Sequence, residues 1–284
     1  MQTILRSETI EVKIRTDGPF IVIGEKINPT CRKKLAEALL AGNFDYVRDL
    51  AKKQVEAGAD VLDLNVGVPG LDEVELLPQI VSVVATTVRV PICIDSPNPS
   101  ALAAALRVAP GKPLVNSVNG EKKSLATILP IVKDRGAAVI ALTMDDNGIP
   151  NNAEDRLTIA ARIIERAASI GIPIEDVVID PLVMSVGADQ HAGAITLRTI
   201  ELVRAEFGAN INLGASNVSF GLPDRHTLNQ AFLALAIGAG ATCAITDPLK
   251  LTATIRAADL LRGRDLYAKR YISYCRAHPK ETAP

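Results

Sequence analysis

The stretch DVLDLNVGVPGLDEVELLPQIVSVVATTVRVPICIDS (60–96) decides the fold. Two short runs, DVLDLNV (60–66) and VPICIDS (90–96), enclose a longer amphipathic stretch at 72–88. Each run is nearly all apolar until a carboxylate or amide appears near its end. Runs that do not alternate suit parallel strands covered on both faces, and the long stretch between them suits the crossover helix that such strands require.

The same unit recurs in both directions along the chain. Further runs are FIVIGEKIN (20–28), KPLVNSVN (112–119), AAVIALTM (137–144), DVVIDPL (176–182), NINLGASN (210–217) and ATCAITD (241–247). Helical patterns fill 44–57, 99–107, 122–134, 153–170, 194–207, 226–238 and 249–262. Gly58 and Gly171 stand where two of these helices should stop. Eight strand-helix units with short connections predict an α/β fold, a single (β/α)8 TIM barrel spanning 19–284. Residues 1–18 form an N-terminal arm in which TIEVKI (9–14) alternates, predicting a small hairpin or strap across the barrel's bottom.

Composition narrows the function. With 31 basic and 32 acidic residues the net charge is −1, so there is no basic footprint for nucleic acid or an anionic membrane. Aromatic residues are 3% and Trp is absent, which argues against base-stacking platforms. No apolar run approaches the ~20 residues of a membrane span, and the N-terminus lacks the apolar core of a signal peptide, so the cytoplasm is expected. Cys31, Cys93, Cys243 and Cys275 are scattered without a CxxC pair, so neither a disulfide framework nor a zinc site is expected.

Active sites of such barrels lie at the C-terminal ends of the strands. There the runs end in Glu25 and Asn28, Asp63 and Asn65, Asp95 and Asn98, Asn116 and Asn119, Met144 and Asp145, Asp180, Ser216 and Asn217, and Asp247. Helix capping accounts for Asn98, Asp145 and Asp247 as readily as ligand binding does. It accounts less well for Asp63, Asp95 and Asp180, which lie at the edge of apolar runs where an unpaired carboxylate is costly. Only three histidines exist, which disfavours a transition metal; Mg²⁺ on Glu25, Asp63 and Asp95 is the weaker alternative, so no metal is expected. There is no Gly-rich phosphate fingerprint and no nucleophile-base pair. A flat heterocycle with N–H donors beside a ring nitrogen matches carboxylates well, and pterins have that edge.

GEKIN (24–28), LDLNVG (62–67), CIDSPN (93–98), VNSVNG (115–120), LTM (142–144), IDPLV (179–183) and SNVSFGLPDR (216–225) occur in order at barrel spacing. Together they resemble the pterin-binding methyltransferases that move a methyl group between methyltetrahydrofolate and a corrinoid protein, a family related to the folate module of cobalamin-dependent methionine synthase. The resemblance spans about 20–262. It implies that Asp95, Asn116 and Asp180 bind the pterin, and that Asn217 both binds it and acts catalytically at N5. Glu25, Asp63 and Asn65 would support the site, and Arg225 and Asn229 would border the folate tail or the partner. It also implies tetrahydrofolate or 5-methyltetrahydrofolate as substrate, a corrinoid carried by a separate protein, transfer in either direction (including within a demethylase system), and a homodimer. No D-x-H-x-x-G corrinoid motif occurs in the chain. Dihydropteroate synthases are the alternative, since INPT (27–30) resembles their N-terminal loop. Their lysine-bearing loop after the sixth strand is missing, however: IDPLVMSVG (179–187) stands there. Their Ser-x-Arg-x-His signature is missing too.

Overall fold

The computed structural model describes residues 1–279, so the last five residues of the expected barrel segment lie outside the described residues. Strands β1 (Gln2–Arg6) and β2 (Glu11–Arg15) pair antiparallel ahead of the barrel. Seven strands then run parallel: β3 (Ile21–Ile27), β4 (Val61–Leu64), β5 (Ile92–Asp95), β6 (Leu114–Asn119), β7 (Ala138–Leu142), β8 (Val177–Asp180) and β9 (Cys243–Thr246). Their order in the sheet is β8-β7-β6-β5-β4-β3-β9.

The sheet closes through the segment at 210–214. Ile179 N–H donates to the Asn210 carbonyl at 2.9 Å, and Asn212 N–H donates to the Ile179 carbonyl at 2.8 Å. On the other side Ile245 N–H donates to the Leu213 carbonyl at 2.8 Å. The expected seventh strand, NINLGASN, is therefore shorter than its apolar pattern suggested. It pairs only at isolated bridges, Ile179–Ile211 and Gly214–Ile245, and residues Ala215–Ser219 turn into a 3-10 helix. Asn210 and Asn212 are fully buried in this segment and spend their side-chain amides inside the barrel.

The outer layer follows the expected helices: α2 (Phe44–Glu56), α3 (Glu73–Thr87), α4 (Pro99–Val108), α5 (Lys122–Arg135), α6 (Ala153–Ser169), α7 (Ala192–Phe207), α8 (Arg225–Ala239) and α9 (Pro248–Leu261). Two helices have no counterpart in the sequence pattern: α1 (Lys33–Leu40), in the loop after β3, and α10 (Lys269–Ala277). α1 is only eight residues long and α10 buries no residue, so neither carries a full apolar stripe to read.

The N-terminal hairpin closes the bottom, as alternation predicted. Leu5 and Ile14, both fully buried, pack with Ile21, Ile23, Val61, Cys93, Leu114, Ala138, Ile140, Val178 and Cys243, which line the barrel interior. The Asn210 amide fastens the plug by donating to Thr3 Oγ1 and to the Ile14 carbonyl, each at 2.9 Å. Leu5→Ala would leave a cavity that rigid barrel walls cannot refill. We expect it to cost about 2–5 kcal/mol in urea unfolding, whereas Ile10→Ala, on a residue 38% exposed, should cost less than about 1 kcal/mol.

Candidate active site

Strand periodicity aims the polar residues inward. Side chains two apart share a face, so the interior series on β3 runs Ile21, Ile23, Glu25, and that on β4 runs Val61, Asp63, Asn65. On β5 it is Cys93 then Asp95, on β6 Leu114 then Asn116, and on β8 Val178 then Asp180. The register places Asp95 beside Asn116 and Asp63 beside Cys93. The lower layers are thus apolar and sealed by the hairpin, while the upper layer is polar and open. On β7 the matching upper residue is Leu142, which faces Asp180 across the ladder, so this strand supplies no polar group.

A cavity of about 520 Å³ sits over that layer, a size typical for small organic ligands. Its wall includes Glu25, Asp63, Asp95, Asn116, Asn217, Arg225 and Asn229. Asn65 stands behind Asp95, donating to its Oδ2 at 3.0 Å, and Asn116 Nδ2 donates to Asp63 Oδ1 at 3.3 Å. Burial pushes Asp63 well above the usual carboxylate range, and the negative charge of Asp95 pushes it further. Burial likewise raises Asp95 to about 6, against the lowering effect of the Asn65 hydrogen bond. Two neighbouring acids on the cavity floor are placed to accept N–H donors, since an incoming donor repays the cost of desolvating their charge.

Asp180 is 5% exposed and lies outside the cavity wall, near the backbone N–H of Gly214. One oxygen takes the Leu182 N–H at 2.8 Å and the other takes Asn212 Nδ2 at 2.7 Å. Burial raises its carboxyl to about 6, with these hydrogen bonds and the Arg156 charge acting the other way.

The far wall is carried by the 3-10 turn after the seventh segment. Asn217 is exposed into the cavity, and its amide has no hydrogen-bond partner among the described residues. Gly214 permits this placement: a Cβ there would come within 3.1 Å of Asn217 Nδ2. Neighbouring groups brace the turn. Ser216 Oγ donates to Glu25 at 2.8 Å, Arg32 pairs with the same carboxylate at 2.8 Å, and Arg225 donates to the Ser216 carbonyl at 2.7 Å. Arg225 also underlies the exposed Phe220 ring, 5.7 Å from its centroid. Glu25 is therefore occupied with Arg32 and Ser216, and among the described residues no group of three His, Cys, Asp or Glu is arranged to hold a metal ion.

The structure separates capping from site residues. Asn98 caps α4, accepting the Ser100 N–H at 2.9 Å. Asp247 caps α9 and also pairs with Lys26 at 2.5 Å in the cavity wall. Asp145 does neither: it folds a tight turn to Asn147 and pairs with Arg162 at 2.9 Å, away from the main cavity. Of the eight strand ends, the wall draws on those of β3, β4, β5, β6, β9 and the 210–217 segment, with β8 one layer behind. Sequence reasoning did not find Arg32, Asn212 or Arg156. Asn212 was open to discovery, because it shares the inward parity of Asn210; the two arginines reach in from a loop and a helix and leave no periodic signal.

A profile of the pterin-binding enzymes matches residues 24–247, from the glycine ahead of Glu25 to Asp247. The chain belongs to the pterin-binding enzyme family. It is 34% identical over 260 residues to the methylcorrinoid:tetrahydrofolate methyltransferase of Eubacterium limosum, covering 89% of this chain and 94% of that protein. It is also 34% identical over 248 residues to the methionine synthase of Mycobacterium tuberculosis, where it covers 83% of this chain but only 21% of the larger protein. Among solved structures, dihydropteroate synthase from Vibrio fischeri ES114 superposes with a TM-score of 0.71 over 92% of this chain and 99% of that one, at 16% identity. The Yersinia pestis dihydropteroate synthase also gives 0.71, over 93% of this chain and 100% of that one, at 15% identity. At such identities these superpositions speak for the TIM-barrel fold alone.

Among the described residues no helix is long and apolar enough to cross a membrane.

Proposed function

We propose that this pterin-binding enzyme is a methyltransferase that moves a methyl group between N5 of tetrahydrofolate and the cobalt of a corrinoid carried by a separate protein, in either direction, including as the tetrahydrofolate-methylating part of a demethylase system. The observation that carries the reading is the division of one cavity into a floor of acceptors, buried Asp63 with half-buried Asp95 and Asn116, and an uncommitted amide, Asn217, on the opposite wall. The near full-length likeness to a methylcorrinoid:tetrahydrofolate methyltransferase supports it.

In this account Asp95 and Asn116 receive the N–H edge of the pterin, Asp180 acts from the layer behind, and Asp63, Asn65 and Glu25 hold the floor. In-line transfer breaks the N5–CH3 bond. The methyl carbon passes to the electron pair of Co(I), and the pair of the broken bond returns to N5. A tertiary amine is a poor leaving group, so help must be stronger in the transition state than in the ground state. An amide meets that need, because Asn217 can offer N–H to a bare N5 or oxygen to a protonated one. The fixed carboxylates orient the ring for approach from the open side of the barrel. The outer face of α8 exposes Ala231, Ala234 and Leu235 and carries no charge between Thr227 and Ala239, which supports a homodimer; light scattering should then give twice the 30.1 kDa of one chain.

Asp180→Asn removes a charge while keeping shape, and is expected to weaken tetrahydrofolate binding by roughly 1–3 kcal/mol in calorimetry. Unchanged affinity would take Asp180 out of pterin recognition.

A further inference from the structure

Arg156 lies in the first turn of α6 and is only 2% exposed. Burying a guanidinium is costly unless its charge and donors are met, yet among the described residues no carboxylate is within ion-pair distance of it. Instead it holds main-chain carbonyls. Nε donates to the Pro150 carbonyl at 2.9 Å, and one terminal nitrogen donates to the carbonyls of Pro181 at 2.7 Å and Leu182 at 2.9 Å. The side chain thereby ties the loop after β7 to the loop after β8.

The gripped turn is an unusual one. Leu182 has φ 61°, a left-handed conformation that a leucine adopts rarely. In that conformation its N–H reaches Asp180 Oδ1 at 2.8 Å. The Leu182 carbonyl is met a second time, by Thr196 Oγ1 of α7 at 3.2 Å, with Thr196 fully buried. The remaining hydrogen-bond partner of Asp180 is Asn212, which is neutral, so Arg156 is the cation whose field reaches this carboxylate.

We propose that Arg156 is a positioning residue for pterin recognition: it holds the Pro181–Leu182 turn in the shape that orients the Asp180 carboxylate. This rests on the reading of the cavity as a tetrahydrofolate site. It gives the chain a third tier of recognition, in which a helix two elements away sets the geometry of a strand-end acid. An arginine that merely stabilised the fold would leave the pH dependence of binding untouched.

The test uses the full chain and three variants, Arg156→Gln, Arg156→Lys and Thr196→Val. Tetrahydrofolate binding is followed by calorimetry between pH 5 and 8, thermal melting reports folding, and KM and kcat are measured for methyl transfer with cobalamin. Arg156→Gln should raise Kd by about tenfold and move the acid midpoint of binding upward, because the carboxylate loses both its aimed partner and the nearby cation. Arg156→Lys should return the midpoint toward that of the unaltered chain while leaving Kd raised, since a lysine keeps the charge but not the fork. Thr196→Val, which loosens the same carbonyl, should raise Kd by about threefold, and in all three variants KM should change more than kcat. Folded variants with unaltered Kd and midpoint would overturn the proposal. If Arg156→Gln does not fold, Arg156→Lys and Thr196→Val decide it on the same criteria. An unaltered chain that binds no tetrahydrofolate would overturn the functional reading, and this proposal with it.

Discussion

Replacing Asn217 with alanine is expected to lower the single-turnover rate of methyl transfer by about 10²–10³-fold while changing tetrahydrofolate affinity by less than about threefold. The asymmetry follows from position. Asn217 sits on a turn across the cavity from the floor acceptors, and its amide is free to answer a change in charge at one atom of a bound ring. The acceptors on the floor hold substrate and transition state alike, so their loss should appear mainly in binding. Asn217 instead gains its hydrogen bond as the C–N bond breaks, so its loss should appear in the rate. Stopped-flow absorbance of the cobalt chromophore, with affinity measured separately, distinguishes the two. An equal loss in both would make Asn217 a binding residue only.

Tetrahydrofolate affinity should collapse in mild acid. Burial raises Asp95 and Asp180 each to about 6 in the free chain. The N–H edge of the ring donates to Asp95, and its partial positive charge also favours the ionised form of Asp180 one layer behind, so both pKa values fall in the complex. Affinity is therefore complete only toward pH 8 and declines as pH falls through about 6. If both must be ionised, each is about one-tenth ionised at pH 5, and binding weakens by roughly a hundredfold there relative to pH 8. The charge of Glu73 makes protonating Asp95 easier still, and the charge of Asp95 in turn raises Asp63. The stability of the free chain should move the opposite way. A carboxyl whose folded value is raised contributes fully below its unfolded value, and that contribution is lost as pH rises through about 6. Calorimetric titrations from pH 5 to 8 beside urea midpoints over the same range would show both trends. A flat affinity profile would mean that the acids bind in neutral form or not at all.

Much of this architecture could be read because β/α units write their period plainly. The runs around Leu62, Ile94 and Val178 had no alternation because both faces are covered, and their terminal Asp63, Asp95 and Asp180 stood out against that background. Parity then aims these residues inward without any further information. What escaped had no such period. The 210–217 segment looks like a strand in composition, but Gly214 and the inward amides of Asn210 and Asn212 serve closure, plug and acid support instead of a long ladder. Arg156 and Arg32 act through carbonyls and a carboxylate brought close only by tertiary folding. Asp145 resembled the other strand-end acids, yet Leu142 holds the inward position on its strand, and Asp145 falls beyond it in a turn of its own.

One mixing experiment tests the methyl transfer most directly. Cob(I)alamin, the enzyme and 5-methyltetrahydrofolate are combined without oxygen, and absorbance is followed through a single turnover. Decay of the Co(I) band with matching growth of the methylcobalamin spectrum, at a rate that depends on enzyme, is the result expected. Firm binding of 5-methyltetrahydrofolate with no change at cobalt, and none in reverse from methylcobalamin and tetrahydrofolate, would contradict it.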